Sequence, residues 1–179
     1  MTSDAVFALD EHPELRVVRL TAPDAGRLQE LYEACAEFTV LVEGKPPGPQ
    51  AAADDLAALP PGAALEDKHV FGLMDDDERI VAMIEAIRGY PRPGAWWVGL
   101  MLVDPAHRRG GLGTSFYATF EHWVRTQDCR EVALGVVAAN TGGLGFWQSQ
   151  GFTLDRTVEA QDFGRLTPDV LVLTKPVTA

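Results

Sequence analysis

The sequence contains few cysteines and no long apolar run, and both absences exclude classes of protein. Its two cysteines, Cys35 and Cys129, lie far apart in a chain of 179 residues and form no C-x-x-C pair. They support neither a disulfide framework nor a zinc site. The longest strongly apolar run covers only residues 95–103, whereas a membrane-spanning helix needs roughly 20 residues. We therefore predict no disulfide and no transmembrane segment.

Basic residues are scarce as well. The chain has 15 lysines and arginines against 26 aspartates and glutamates, which gives a formal net charge of −11. Phosphate backbones require a basic face, so nucleic acid is not expected as a partner. The acidic field favours a cationic small substrate instead. The acidic segment 1–14 has neither the basic start nor the apolar stretch of a signal peptide. These features predict a cytoplasmic protein with no membrane partner.

Length and composition predict one domain that spans residues 1–179. Apolar residues make up 46% of the chain, which is ordinary for a folded protein, and roughly 150 residues is a common domain size. The four histidines, at positions 12, 69, 107 and 122, show no metal-ligand spacing. No metal is expected.

The first half of the chain has the pattern of one strand, two helices and an antiparallel meander. Leu28, Leu31 and Tyr32 recur at helical spacing, which predicts a helix. Thr21 is the residue expected to cap it. Prolines and glycines mark the connections. The predicted elements are a strand over 15–20, a helix over 22–38, a loop over 42–50, a short helix over 51–59, and strands over 68–74, 80–90 and 95–103.

A glycine-rich turn follows the last of these strands. Its sequence, "DPAHRRGGLGTSF", covers residues 104–116 and leads into a helical stretch, and a second apolar strand is predicted over 131–139. A strand, a helix and a strand connected in this way form a βαβ unit, with the two strands parallel and the turn at their C-terminal end. The predicted apolar stripe of the helix consists of Leu112, Phe116, Phe120, Trp123 and Val124.

The position of this turn predicts an anion-binding site. The first backbone N–H groups of a helix have no partner within the helix, and the aligned peptide dipoles make that end partially positive. Glycines remove the Cβ atoms that would keep a large anion away from those donors. Arg108 and Arg109 add two full positive charges. A phosphate or pyrophosphate is the expected ligand.

Two common phosphate motifs do not fit the turn. A Walker A loop requires a lysine after its last glycine, and no lysine follows Gly110, Gly111 or Gly113. A dinucleotide G-x-G-x-x-G motif fits Gly111 and Gly113 but meets Phe116 at the third glycine position. An antiparallel meander ahead of the motif is also wrong for a dinucleotide-binding sheet.

The pattern that does fit is [QR]-x-x-G-x-[GA], which residues 108–113 match after the residues "LVDP". This stretch resembles the acetyl-CoA loop of the GNAT acyltransferase superfamily. The order of predicted elements over 15–175 also follows the order in that fold. The resemblance implies an α/β (α+β) fold with a mixed, mostly antiparallel sheet. It further implies a central parallel βαβ pair that splays to hold acetyl-CoA, with helices on both faces.

A second signature of the superfamily occurs near the C-terminus. The stretch "NTGGLGFWQSQGF" places Asn140, Gly151 and Phe152 in register with the family pattern. Trp147 stands where the family has a tyrosine. The resemblance implies acetyl-CoA as co-substrate, bound by the backbone of the fourth strand, the loop and the following signature. The implied residues are Leu102, Val103, Arg108, Arg109, Gly110, Gly111, Leu112, Gly113, Thr114, Asn140 and Trp147.

The implied chemistry is direct attack of an amine on the thioester, so a group that accepts a proton from the ammonium is required. The strand 95–103 contains no ionisable side chain. Glu85, inside the preceding strand, and Glu43, in the long loop between the first two helices, are the candidates. Each of them could act as the base or only attract a cation.

Two functions remain open from the sequence. The first is an N-acetyltransferase that acts on a small amine, a protein N-terminus or a lysine. The second is a module of the same fold that binds or senses acyl-CoA without turnover, which the absent tyrosine and the absent base on the fourth strand would suit. The sequence also leaves a homodimer open.

Overall fold

The computed structural model describes residues 7–177, and a seven-stranded mixed sheet runs through its centre. Residues 1–6 and 178–179 lie outside the described part. Two predictions therefore extend beyond the described residues. They are the domain bounds at residues 1 and 179, and the absence of a signal peptide from the segment 1–14. No helix within 7–177 is both long enough and apolar enough to cross a membrane.

Within residues 7–177, five α-helices accompany the seven strands, and three short 3-10 turns precede α1, β2 and α4. The strands are β1 (Arg16–Arg19), β2 (Lys68–Met74), β3 (Ile80–Arg88), β4 (Ala95–Val103), β5 (Glu131–Val137), β6 (Thr153–Val158) and β7 (Val170–Pro176). The helices are α1 (Ala25–Ala34), α2 (Ala36–Glu43), α3 (Ala51–Ala57), α4 (Leu112–Arg125) and α5 (Thr141–Ser149).

The strand order in the sheet is β1-β2-β3-β4-β5-β7-β6. The pair β4–β5 is parallel, and every other neighbouring pair is antiparallel. The predicted meander and the predicted βαβ unit are both present, because α4 connects β4 to β5. The mixed, mostly antiparallel sheet is confirmed.

Two apolar layers hold helices against the two faces of the sheet. On one face, Leu28 and Leu31 of α1 pack with Met83 and Leu102 of the sheet. On the other face, α4 packs against the strands through the predicted stripe, of which Leu112, Phe116, Phe120 and Val124 are fully buried. Each such side chain contributes about 1.5–3 kcal/mol through its removal from water. Helices therefore lie on both faces, as predicted.

The single helix predicted over 22–38 is wrong, because the structure divides this stretch. A 3-10 turn, Ala22–Asp24, comes first, and Thr21 begins it, its backbone N–H donating to Asp24 Oδ2 at 2.9 Å. Helix α1 then ends at Ala34, and α2 starts after Cys35. The apolar spacing continues across this break because Cys35 is itself buried. The pattern alone therefore does not reveal the change of direction.

The loop predicted over 42–50 begins two residues later than expected. Helix α2 continues to Glu43 and ends at Gly44, whose φ of 78° and N–H bond to the Val40 carbonyl at 2.9 Å form a left-handed C-terminal cap. Glu43 is therefore the last residue of a helix and not a loop residue, which corrects its predicted placement.

A half-buried histidine makes the stability of this fold dependent on pH. The ring of His69 lies 5.1 Å from Trp96 and 5.3 Å from Trp123, measured between ring centroids. Neither of its ring nitrogens has a hydrogen-bond partner among residues 7–177. Burial lowers the pKa of His69 to about 4. The unfolded chain takes up this proton near pH 6.5, so the folded state loses stability as the pH falls from about 6.5 towards 4.

We expect His69→Phe to reduce this pH dependence, because phenylalanine fits an aromatic cluster and binds no proton. The slope of the unfolding free energy between pH 6.5 and 4 should fall by up to about 1.4 kcal/mol per pH unit. Urea unfolding at several pH values measures it. The same change at the exposed His122 is the matched control, and an equal loss of slope in both variants would contradict the assignment.

Candidate active site

A gap opens in the middle of the sheet where β4 and β5 separate. The two strands pair only from Ala95 to Val98 of β4 and from Glu131 to Leu134 of β5. Beyond these residues, β4 continues along β3 and β5 continues along β7. The separation forms part of a cleft of ≈ 1220 Å³. The splay that the resemblance implied is therefore present.

A bulge in β4 marks the start of this gap. Glu85 of β3 pairs with Leu100, but the next residue, Ala86, pairs with Val98, so Gly99 has no partner on β3. A Cβ atom at Gly99 would lie 2.9 Å from Glu85 Oε1, so a larger residue at this position would displace the carboxylate. The bulge bends the strand and places the Glu85 carboxylate against the backbone at the point where the gap begins.

The peptide groups of β4 beyond the bulge point alternately towards β3 and towards the gap. The Asp104 N–H donates to the Val81 carbonyl at 2.9 Å, so Asp104 faces β3. By the alternation of an antiparallel pair, Leu102 also faces β3, while Met101 and Val103 face the gap. The predicted backbone contact to acetyl-CoA therefore suits Val103 and not Leu102. Met101 was not among the residues named from the sequence, because only the pairing register shows that its peptide group faces the gap.

The glycine-rich loop forms an open cradle at the start of α4. Gly111 precedes the helix with φ 85°, and its carbonyl accepts the first helical bond from the Ser115 N–H at 3.0 Å. The N–H groups of the first turn, which include those of Leu112, Gly113 and Thr114, have no acceptor within the helix. A Cβ atom at Gly110 or Gly111 would meet no atom within 4 Å. This open backbone fits a bulky anion such as a pyrophosphate.

The two arginines of the loop differ in their surroundings. The Arg108 guanidinium lies 2.7 Å from Glu37 Oε1 on α2 and donates from Nε to the Val103 carbonyl at 2.8 Å. Its side chain thus joins the loop to α2 and to the end of β4. Arg109 stands beside the cleft with a positive φ of 66°. Both arginine side chains were predicted to contact the anion. That of Arg108 already has a carboxylate partner in Glu37.

Cys35 lies under the same arginine and is not a nucleophile at neutral pH. Burial raises the pKa of its thiol to about 11, so the reactive thiolate is scarce. The thiol donates to the Val103 carbonyl at 3.5 Å.

The second signature brings α5 to the opposite side of the gap. Asn140 caps α5, and its Oδ1 accepts from the Gly143 N–H at 2.9 Å. Trp147 is 8% exposed, and its ring meets that of Tyr117 edge to face at 5.2 Å. Both Asn140 and Trp147 line the cleft, as does the loop before α4. The two sequence signatures are thus assembled around one space.

A buried polar network occupies the end of the cleft next to the bulge. Lys68 Nζ lies 3.0 Å from Glu85 Oε2 and donates to the carbonyls of Asp55 and Ala58, the latter at 2.8 Å. The Tyr32 hydroxyl donates to Asp55 Oδ2 at 2.8 Å. Burial raises the pKa of Glu85 above its usual 4.5, and the positive charge of Lys68 partly opposes that rise.

Sequence reasoning named Glu85 but missed Lys68 and Asp55. Lys68 is the first residue of β2, and most of the residues that follow it are apolar and buried. A lysine at the start of such a strand was the signal that could have identified a buried charge. Glu43, the other candidate, also lines the cleft, from the end of α2. The structure thus places both carboxylates on the cleft wall but brings only Glu85 to the bulge of β4.

Comparison with known proteins agrees with this architecture. Residues 26–152 match the family model described as Acetyltransferase (GNAT) family. Comparison with curated proteins gave no significant match. An acetyltransferase from Thermus thermophilus is 22% identical, with a TM-score of 0.72 over 90% of this chain and 96% of that one.

Two further solved structures share the fold at a similarly low sequence identity. A GNAT-family protein from Chromobacterium violaceum is 18% identical, with a TM-score of 0.74 over 91% of this chain and 83% of that one. Another, from Desulfovibrio desulfuricans, is 18% identical, with a TM-score of 0.70 over 92% of this chain and 99% of that one. Because the family model covers well over half of the residues, and because the gap and both signatures meet in one cleft, this chain belongs to the GNAT acetyltransferase family.

Proposed function

We propose that the protein is an N-acetyltransferase that transfers an acetyl group from acetyl-CoA to a primary amine. The main support is the continuity of the cleft, whose lining includes both the open start of α4 and the Glu85 carboxylate at the bulge. The acidic composition, with a net charge of −11, favours a small cationic acceptor. An amine at a protein N-terminus or on a lysine is the broader alternative.

The residues proposed to hold acetyl-CoA surround the gap. The N–H groups from Arg109 to Thr114 would bind the pyrophosphate. The gap-facing peptide groups of Met101 and the N–H of Val103 would pair with the pantetheine arm, because the Val103 carbonyl already accepts from Arg108 and Cys35. Asn140 and Trp147 would contact the arm from the α5 side. Acetyl-CoA supplies the acetyl group as a thioester, which is reactive enough for an amine to attack directly.

Glu85 is the proposed base. An amine is protonated at neutral pH and must lose one proton before it can attack a carbonyl carbon. A carboxylate whose pKa is raised by burial accepts a proton more readily than an exposed one. Lys68 keeps the ionised form available and holds Oε2 at 3.0 Å, which leaves Oε1 beside Gly99 to receive the proton.

Trp147 takes the place of the tyrosine in the family signature, and its role must differ. An indole N–H donates a hydrogen bond but delivers no proton near neutral pH. The ring lies on the cleft wall, packed against Tyr117 and Phe152. We therefore assign Trp147 to packing against the arm of CoA and assign protonation of the leaving thiolate to water.

The proposed setting is the cytoplasm. Both cysteines are free thiols, buried in the fold, and free thiols persist in a reducing compartment. The proposed partners are acetyl-CoA and the amine, with no nucleic acid, no membrane and no metal. The reaction would be carried out by a single domain.

Release of the CoA thiol tests the proposal. Acetyl-CoA is incubated with the protein and a panel of primary amines that includes alkylamines, diamines, amino acids and a lysine peptide. We expect amine-dependent thiol release and a product that is heavier by one acetyl group. If CoA binds but no amine supports thiol release, the alternative function as a module that binds acyl-CoA without turnover is favoured.

A further inference from the structure

The walls of the cleft next to the bulge are apolar, which bears on the acceptor of the proposed acetyl transfer. Helix α2 has the sequence AEFTVLVE, yet only its Val42 is buried, and Leu41, which lines the cleft, is 38% exposed. Phe38 of α2, Trp97 of β4 and Phe163 of the β6–β7 loop line the same cleft. An apolar helix that faces an open cleft suits a ligand with an apolar body.

The polar network beside these walls contains more acidic than basic side chains. The network holds two carboxylates, those of Asp55 and Glu85, but one ammonium group, because Lys68 contacts the carboxylate of Glu85 and only the backbone carbonyl of Asp55. Lys68 has three N–H donors, and Glu85 and the carbonyls of Asp55 and Ala58 use all three. The network therefore carries one excess negative charge and has no lysine donor left for an anionic ligand.

The remaining basic residues of the cleft lie on other elements. Arg108 is joined to Glu37, Arg109 belongs to the loop before α4, and Lys45 follows the end of α2. None of them is part of the network of Tyr32, Asp55, Lys68 and Glu85. A ligand that reaches this network thus meets carboxylates and aromatic rings.

From these observations, and resting on the proposed acetyl transfer, we propose that the acceptor is a primary amine on an aromatic or aliphatic body without a carboxylate. Its ammonium lies beside Asp55, the specificity-determining residue, whose carboxylate the Tyr32 hydroxyl holds at 2.8 Å. The apolar body of the acceptor covers the exposed side chains of α2. Once the ammonium has passed one proton to Glu85, the neutral amine attacks the thioester carbonyl carbon. The C–N bond forms and the C–S bond breaks, the second N–H proton passes to water, and the departing CoA thiolate takes a proton from water.

The same geometry discriminates against amino acids. The α-carboxylate of an amino acid would place a further negative charge next to Asp55 and Glu85, where Lys68 has no free donor. Like charges repel, and such repulsion is a common source of specificity. The preference for an amine without a carboxylate should therefore depend on the charge of Asp55.

Phenethylamine and phenylalanine provide a matched test, because they share one body and differ by the carboxylate. We expect kcat/KM for phenethylamine to exceed that for phenylalanine by at least about tenfold. Asp55→Asn keeps the size of the side chain and an acceptor for the Tyr32 hydroxyl. It should reduce that ratio by about tenfold or more, mainly through KM for phenethylamine. Asp76→Asn, the same change at an exposed residue of the turn between β2 and β3, outside the cleft lining, should alter the ratio less than about twofold.

Calorimetry with CoA-saturated protein measures the binding of phenethylamine without turnover, and Asp55→Asn should weaken it while Asp76→Asn should not. Equal or better use of phenylalanine by the wild type would overturn the inference, as would equal effects of the two variants. If polar amines or amino acids are acetylated and phenethylamine is not, the inference fails and the acetyltransferase function stands. If no amine releases thiol, the acetyltransferase function fails and the inference fails with it.

Discussion

A valine at Gly111 is expected to lower the affinity for CoA by at least about a hundredfold, or about 2.7 kcal/mol. Gly111 starts α4 with φ 85°, and no atom lies within 4 Å of the place where its Cβ would be. A branched side chain would occupy the space proposed for the pyrophosphate and would strain the loop. Each charged hydrogen bond that is lost costs about 1.5–3 kcal/mol, so the loss of two bonds suffices. Isothermal titration of CoA measures the change.

Gly89→Val is the matched control for the strain. Gly89 also has a positive φ, 70°, and open space around its Cβ position, but it lies in the β3–β4 turn at the other end of β4. Both variants should lose similar stability, and only Gly111→Val should lose CoA. Unchanged CoA affinity in a folded Gly111→Val protein would remove the loop from the binding site.

Replacement of Glu85 by glutamine is expected to lower kcat by about 10²–10⁴-fold, the usual contribution of a general base. The affinity for CoA should change little, because Glu85 lies against Gly99 at the bulge, away from the loop that starts α4. Glutamine keeps an oxygen that can accept from Lys68, so the network retains its shape. Steady-state kinetics with the best acceptor, together with CoA titration, separate the two effects.

Glu43→Gln compares the two carboxylates that the sequence identified. A larger loss of kcat in Glu43→Gln than in Glu85→Gln would contradict the choice of base. The pH profile gives a second comparison, since burial raises the pKa of Glu85 and the acid limb of kcat/KM should lie above pH 4.5. Lys68→Met removes the opposing charge and should move that limb to higher pH, whereas loss of structure alone would lower the rate without moving the limb.

The sequence was sufficient to predict the parts of the fold that depend on local pattern. The strand, glycine-rich turn and helix from Ala95 to Arg125 follow from a short apolar run, a turn and an apolar stripe, so their order and bounds were predicted closely. The signature that begins at Asn140 is also local. The splay of β4 and β5 came from the family resemblance, because no local pattern specifies where two parallel strands separate.

Features that depend on distant pairing could not be predicted. The register of β2 against β3 places Val70 opposite Glu85, which brings Lys68 to the diagonal position. A shift of one residue would turn Lys68 to the other face of the sheet, and the sequence does not specify that register. The break at Cys35 was missed for a related reason. The apolar residues after it face the cleft, and periodicity cannot distinguish a cleft from a core.

The most direct test of the account is a crystal structure of the protein with CoA bound. We predict the pyrophosphate on the N–H groups from Arg109 to Thr114, the pantetheine arm in the gap between β4 and β5, and the sulfur facing Glu85 beside Gly99. A pyrophosphate bound elsewhere, or a sulfur atom directed away from Glu85, would contradict the account.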